Sequence, residues 1–422
     1  MTRFVRFALF VLLFALVPAR AADPVPEKVR EELKLDKFYQ KYVDAGGLPV
    51  VGSEKVSDHA LAEAAWIVGK MLAGREDILK AMRANKVRIT VMAATEFTTD
   101  VPEHSRLTPK LYWDRRARGL GATRANPVVS CGEENLLGFA GDPYPRENIF
   151  VHEFAHAIHG TGLSTTDKTF DKRLRASYDA AKERGLWKNT YCATNHSEYW
   201  AEGAQCCFDD NAPPDASHND IRTRAQLKDY DPELAKLCKE VFGDGEWKYK
   251  RPAERKAEDV KHLPGYDQKK LPQFKWRDAP VIDKPKVTFE TAAGDFVIEL
   301  DAKAAPQATE LFLRVALEGG YHSGRFSRAA GSAVMGSPNI AWFKARPNFK
   351  GVVGAESDAK PVEGTVALLP KTASFVVFAG APTEGAPADV VVIGRVASGA
   401  NVVKMLFAAD ADTDIRRAIR TE

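Results

Sequence analysis

Two pairs of residues in this sequence stand four apart and carry metal-binding chemistry. His152 and His156 enclose Glu153, Phe154 and Ala155, an HExxH pattern, and Glu198 and Glu202 follow further along. On a helix, residues four apart differ by about 40° and stack on one face. Two imidazoles so placed can share one zinc ion, and Glu153 beside the first can take a proton from metal-bound water, which the ion makes far more acidic. A catalytic zinc keeps three protein ligands and one open position, so a third ligand is needed. A histidine six residues beyond His156 would supply it, but that position is Gly162. His159 lies one turn further along the same face and reads as a packed or supporting histidine. Cys206 or Cys207 is a minor alternative, since carboxylates are available. Glu198 and Glu202 place two carboxylates on one helix face; one can bind zinc while the other accepts a hydrogen bond from a ligating histidine and fixes its tautomer. Such acidic pairs commonly just solvate an exposed helix, but Trp200 and Phe208 give this segment a buried side.

The elements that must position these groups are legible in outline. The chain should be helical from Glu147 to His159 and again from about Asn195 to Phe208. Ser57 opens a helix with Leu61, Ala64, Val68, Met71 and Leu72 on one face and Gly74 at its close. Val87 to Met92 is a β-branched run that predicts a strand, and Phe97 to Asn148, rich in Gly, Pro and Asp, predicts long loops of the kind that build clefts. Residues 251–285, dominated by Lys, Pro, Asp and Glu, mark a linker or wrapping arm. Behind it, Val287 to Leu300 predicts two strands around Ala293-Gly294-Asp295, then a helix with Pro306 in its first turn and Gly319-Gly320 at its end.

Length and composition bound the rest. A chain of 422 residues implies two domains. Residues 1–21, with Arg3 and Arg6 before the apolar run Phe7 to Val17 and Ala19-Arg20-Ala21 behind it, have the layout of a cleaved export signal. That run is too short for a membrane span, which needs about 20 apolar residues. The segment holds three arginines and no acid, so without it 60 basic residues fall to 57 against 57 acidic ones. A charge-balanced, exported protein gives no support to a nucleic-acid partner or a membrane span, and leaves the oligomeric state open. Five cysteines, Cys131, Cys192, Cys206, Cys207 and Cys238, allow one or two disulfides in an oxidising compartment.

The segment from about 147 to 208 resembles the gluzincin metallopeptidases, and within them the catalytic domain of anthrax toxin lethal factor and its relatives. There, HExxH is followed by Tyr, then Asn, Glu and Glu at offsets of four, seven and eleven, matched here by Tyr191, Asn195, Glu198 and Glu202. The resemblance implies one zinc ion on His152, His156 and Glu198, with Glu153 as base, Tyr191 as oxyanion stabiliser, and Glu202 and Asn195 in support.

Residues 286–422 resemble a cyclophilin-type peptidyl-prolyl isomerase through Phe289 to Asp295, the helix after Pro306, Phe326-Ser327-Arg328 and Ile393 to Val396. Arg328 matches the family's catalytic arginine, whereas Ala333, Gly336, Val376 and Val390 replace a phenylalanine, a glutamine, a second phenylalanine and a histidine of its proline pocket. A retained fold used for packing or peptide docking is expected ahead of an active isomerase. The expected architecture is an α+β zincin-like domain, mainly helical with a small edge sheet, over 23–250, then a mainly-β closed barrel. The expected function is zinc metallopeptidase action on a peptide or protein substrate. The rivals are a cyclophilin-type isomerase with an accessory zinc domain, and a zinc-holding protein without turnover.

Overall fold

The computed structural model describes residues 22–421 apart from 109, 189, 216, 278–281, 318, 341–355 and 358. The expected export signal, residues 1–21, lies outside the described residues. Two hydrophobic cores form. One draws on residues between Ala45 and Phe274, the other on residues between Val287 and Ala418.

The first domain is built on a six-stranded sheet ordered β1-β2-β3-β4-β6-β5. Its strands are β1 (Asp23–Pro24), β2 (Lys41–Ala45), β3 (Leu48–Gly52), β4 (Arg88–Met92), β5 (Gly119–Leu120) and β6 (Val128–Gly132). This is larger than the small edge sheet expected. β3, β4 and β6 run parallel and are buried throughout, the pattern of strands covered on both faces. Against β6 the short edge strand β5 runs antiparallel. The stretch 97–148 is therefore more than loop: it hides a central strand and the helix α2 (Lys110–Arg116).

Helix α1 (Asp58–Met71) buries Leu61, Ala64, Val68 and Met71, as its spacing predicts. It also buries Glu63, which pairs with Arg255 at 2.6 Å and His262 at 2.8 Å, while Arg255 stacks 4.2 Å over the Trp66 ring. Phe274 joins the first core and Trp276 packs against it. The stretch from 251 to 276 is thus a wrapping arm of the first domain. Although its composition is polar, a few aromatic and charged side chains fasten it.

All five cysteines are buried free thiols. The disulfides expected from their number are not formed, and all five thiols lie within the first domain's apolar core. No helix among the described residues is long and apolar enough to cross a membrane.

The second domain is a closed barrel ordered β10-β12-β11-β13-β8-β7-β14-β9. Its strands are β7 (Lys286–Thr291), β8 (Gly294–Leu300), β9 (Gly324–Ala329), β10 (Ala333–Ser337), β11 (Thr365–Leu369), β12 (Ser374–Phe378), β13 (Val391–Ser398) and β14 (Thr413–Arg420). The helix expected after Pro306 runs to Leu317. Phe289, Phe296, Phe312, Tyr321, Phe326 and Phe375 fill the interior, with the Phe289 and Phe375 rings 5.0 Å apart, as an eight-stranded barrel requires.

The barrel meets the first domain through polar contacts. Glu290 on β7 lies 3.2 Å from Arg116 and accepts from the Tyr112 hydroxyl at 3.3 Å. On β14, Arg417 donates to the Arg116 carbonyl at 2.9 Å and Arg416 to the Thr190 carbonyl at 3.4 Å.

Candidate metal centre

Two capped helices carry the predicted ligands. In α3 (Ile149–Ala157), the Asn148 side chain caps the start by accepting from the Val151 amide. In α4 (His196–Cys207), Asn195 accepts from the amides of Ser197 at 2.8 Å and Glu198 at 3.0 Å. Asn195 therefore acts through the backbone, fixing the turn that aims Glu198. Trp200, fully buried, ties the helices together by donating its indole N–H to the Ala155 carbonyl at 2.8 Å.

The result is a triangle of donor atoms. His152 Nε2 lies 3.0 Å from Glu198 Oε2 and 3.1 Å from His156 Nε2, and His156 Nε2 lies 3.2 Å from Glu198 Oε2. Ligands held about 2.1 Å from a tetrahedral zinc sit roughly 3.4 Å apart, so the donor set fits the ion. Two imidazole nitrogens facing each other need a cation or a proton between them. Without an ion, burial pulls the His152 imidazole down, but the Glu198 carboxylate outweighs it and holds it up at about 10. Burial likewise pushes Glu198 up, and hydrogen bonds from the two histidines overcome this and hold it far below the carboxylate range.

The neighbour that orients His152 differs from the one expected. Glu202 lies 3.7 Å from Nδ1, whereas Gln205 Oε1 lies 2.8 Å from it. A carbonyl oxygen there keeps the proton on Nδ1 and leaves Nε2 free to ligate. Glu202 instead lies 3.6 Å from His218. Gln205 could have been found in the sequence, since Glu198, Glu202 and Gln205 form a helical stripe.

Glu153 is buried beside this triangle, and burial raises its carboxyl group above the usual range against the pull of His152 and His156. Burial also raises the Tyr191 phenol, against the pull of the nearby Arg116 charge; its ring centre lies 6.2 Å from that of His152. Behind β5 the chain presses onto α3, and a Cβ at Gly121 would fall 2.6 Å from His156 Cβ, so only glycine permits this approach. His159 stays outside the triangle, 3.1 Å from Asp171; burial pushes its imidazole down to about 4. Beside the triangle runs a groove of about 840 Å³, lined by Gly121, His156, His159 and Glu198. A cleft of about 400 Å³, lined by His152, Tyr191 and barrel residues, opens on the other side. Arg116, which reaches Tyr191 from α2, carries no local sequence signal.

In the barrel, the residues matched to the isomerase pocket are dispersed. Arg328 is paired across the strands with Val334, an interior residue, and its guanidinium lies 4.7 Å from the Phe407 ring centre. Ala333, Val376 and Val390 gather elsewhere, in an apolar cluster around Phe378. A Cβ at Gly336 would fall 2.3 Å from Phe375 Cζ, so the family's glutamine has no room there.

The model of the family described as cyclophilin type peptidyl-prolyl cis-trans isomerase matches residues 286–420. Those residues are the closed barrel. Residues 286–420 form a cyclophilin-type domain. Among solved structures, a cyclophilin type peptidyl-prolyl cis-trans isomerase of Cryptosporidium parvum is 14% identical, covering 33% of this chain and 98% of its own, with a TM-score of 0.26. The same protein in the presence of the dipeptide Ala-Pro gives 14%, 32%, 99% and 0.26. No curated protein sequence matches the chain.

The cyclophilin match corrects the reading of the chain as a zinc metallopeptidase with Glu153 as general base. The enzyme family recognised in the chain is the isomerase's, and it lies in the other domain. The hydrolase assignment falls with it. The physical reason is that ligand spacing specifies the holding of a cation, a need that structural and catalytic zinc sites share.

Proposed function

We propose that this is an exported protein whose cyclophilin-type barrel acts on proline-containing peptides as a peptidyl-prolyl cis-trans isomerase, with a first domain that holds one zinc ion in an accessory role. The observation that carries the reading is the family match across the entire closed barrel. Uncatalysed X-Pro isomerisation takes tens to hundreds of seconds, because rotation must break amide resonance. A cation beside the prolyl group weakens that resonance, and Arg328 is the residue matched to this task. The zinc part of the reading rests on the convergence of His152, His156 and Glu198.

The test is isomer exchange of an Ala-Pro peptide, followed by NMR with the full chain and with Arg328→Ala. Faster exchange with the wild type, lost in the variant, is expected. The lack of room at Gly336 favours a second reading, in which the barrel docks such peptides without turnover. That reading predicts peptide binding with no change in exchange rate, and the same spectra separate the two.

A further inference from the structure

The cleft between the domains contains cations that the proposed function leaves unused. At about 400 Å³ it has room for a small ligand or the end of a peptide. The first domain contributes Arg116 and Tyr191, and β14 of the barrel contributes Arg416 and Arg417. Arg116 is paired with Glu290 at 3.2 Å. Asp215, also in the cleft, is taken by His218 at 2.9 Å. Arg417 lies 5.7 Å from the Tyr144 ring centre and donates to the Arg116 carbonyl. Arg416 has only the long contact to the Thr190 carbonyl, and its Nε is shut from solvent with no hydrogen-bond partner among the described residues. Neither Arg416 nor Arg417 has a carboxylate within ion-pair distance among the described residues. Burial pulls Arg416 below the usual arginine range, with Glu290 and Asp295 opposing only in part.

We infer that this interdomain cleft binds a carboxylate, with Arg416 as the principal contact and Arg417 beside it. A guanidinium keeps its charge and matches a planar carboxylate with two parallel hydrogen bonds. Glu147, Glu202, Glu290 and Asp295 also line the cleft. Their charge disfavours a dianion such as phosphate and leaves a singly charged group as the best fit. The carboxylate belongs either to a peptide's free carboxyl end or to a small organic acid. This inference goes beyond the isomerase reading and does not depend on it.

The experiment is calorimetric titration of the full chain with trialanine, trialanine amide, propionate and inorganic phosphate. Trialanine is expected to bind at least about ten-fold more tightly than its amide, the scale of one charge-assisted hydrogen bond. Arg416→Gln should erase that preference and Arg416→Lys should keep part of it. Competition by propionate as effective as that by trialanine identifies a small acid as the ligand, whereas weaker competition identifies a peptide end. Equal affinity for acid and amide, no binding of either at millimolar concentration, a preference that survives in Arg416→Gln, or tighter binding of phosphate than of propionate would each overturn the assignment. The wild-type comparison of acid with amide decides the matter even if the variants fail to fold.

Discussion

The two domains present opposite relations between family and chemistry. In the first, His152, His156 and Glu198 converge within 3.2 Å of one another and fit a zinc ion, yet no family match covers them. In the second, the family is recognised across the whole barrel, yet the pocket residues are replaced and Arg328 lies apart from them. A barrel is maintained by its interior, here six aromatic side chains, and survives the loss of surface chemistry. A ligand triangle is maintained by a few side chains and their caps, which a whole-domain comparison weighs lightly. Fold recognition and site chemistry are thus separate kinds of evidence.

The contrast is tested most severely by removing a ligand. Wild-type protein should carry one zinc ion per chain by metal analysis, and His152→Ala or Glu198→Gln should abolish stoichiometric zinc; a variant that retains it would dissolve the contrast. Next in size is Trp200→Ala, which empties a fully buried site and removes the bond to Ala155. It should lower stability by about 3–5 kcal/mol, measured by chemical denaturation of the first domain's transition. Gln205→Ala should weaken zinc about 10- to 100-fold, the usual effect of losing the partner of a ligating imidazole. Competition with a chelator measures this, and Glu202→Gln should change it less. The smallest effect is expected in the barrel. Gly336→Gln restores the family's residue type but forces a side chain against Phe375, so it should cost about 1–3 kcal/mol of stability without raising the rate of proline isomerisation.

Local periodicity revealed much of this arrangement in advance. The spacing of His152 with His156 placed two imidazoles on one face of α3, and Glu198 and Glu202 fixed the face of α4, because a helix converts spacing directly into direction. The hairpin at Ala293-Gly294-Asp295 was legible for the same reason, as turn chemistry is local. β6 was not, because five residues embedded among Gly and Pro become a central strand only once β4 lies beside them. Nor was Arg116, whose approach to Tyr191 depends on how α2 meets the barrel. The spacing also could not distinguish holding a metal from using it in hydrolysis.

The wrapping arm joins parts of the first domain that lie far apart in the sequence. Glu63 is made early, but the guanidinium that neutralises it is that of Arg255, nearly two hundred residues later. A buried carboxylate without its partner is strongly unfavourable, so the seating of α1 is energetically tied to the docking of that distant segment. The arm is thus a clasp on the first domain, fastened at Glu63 and Trp66.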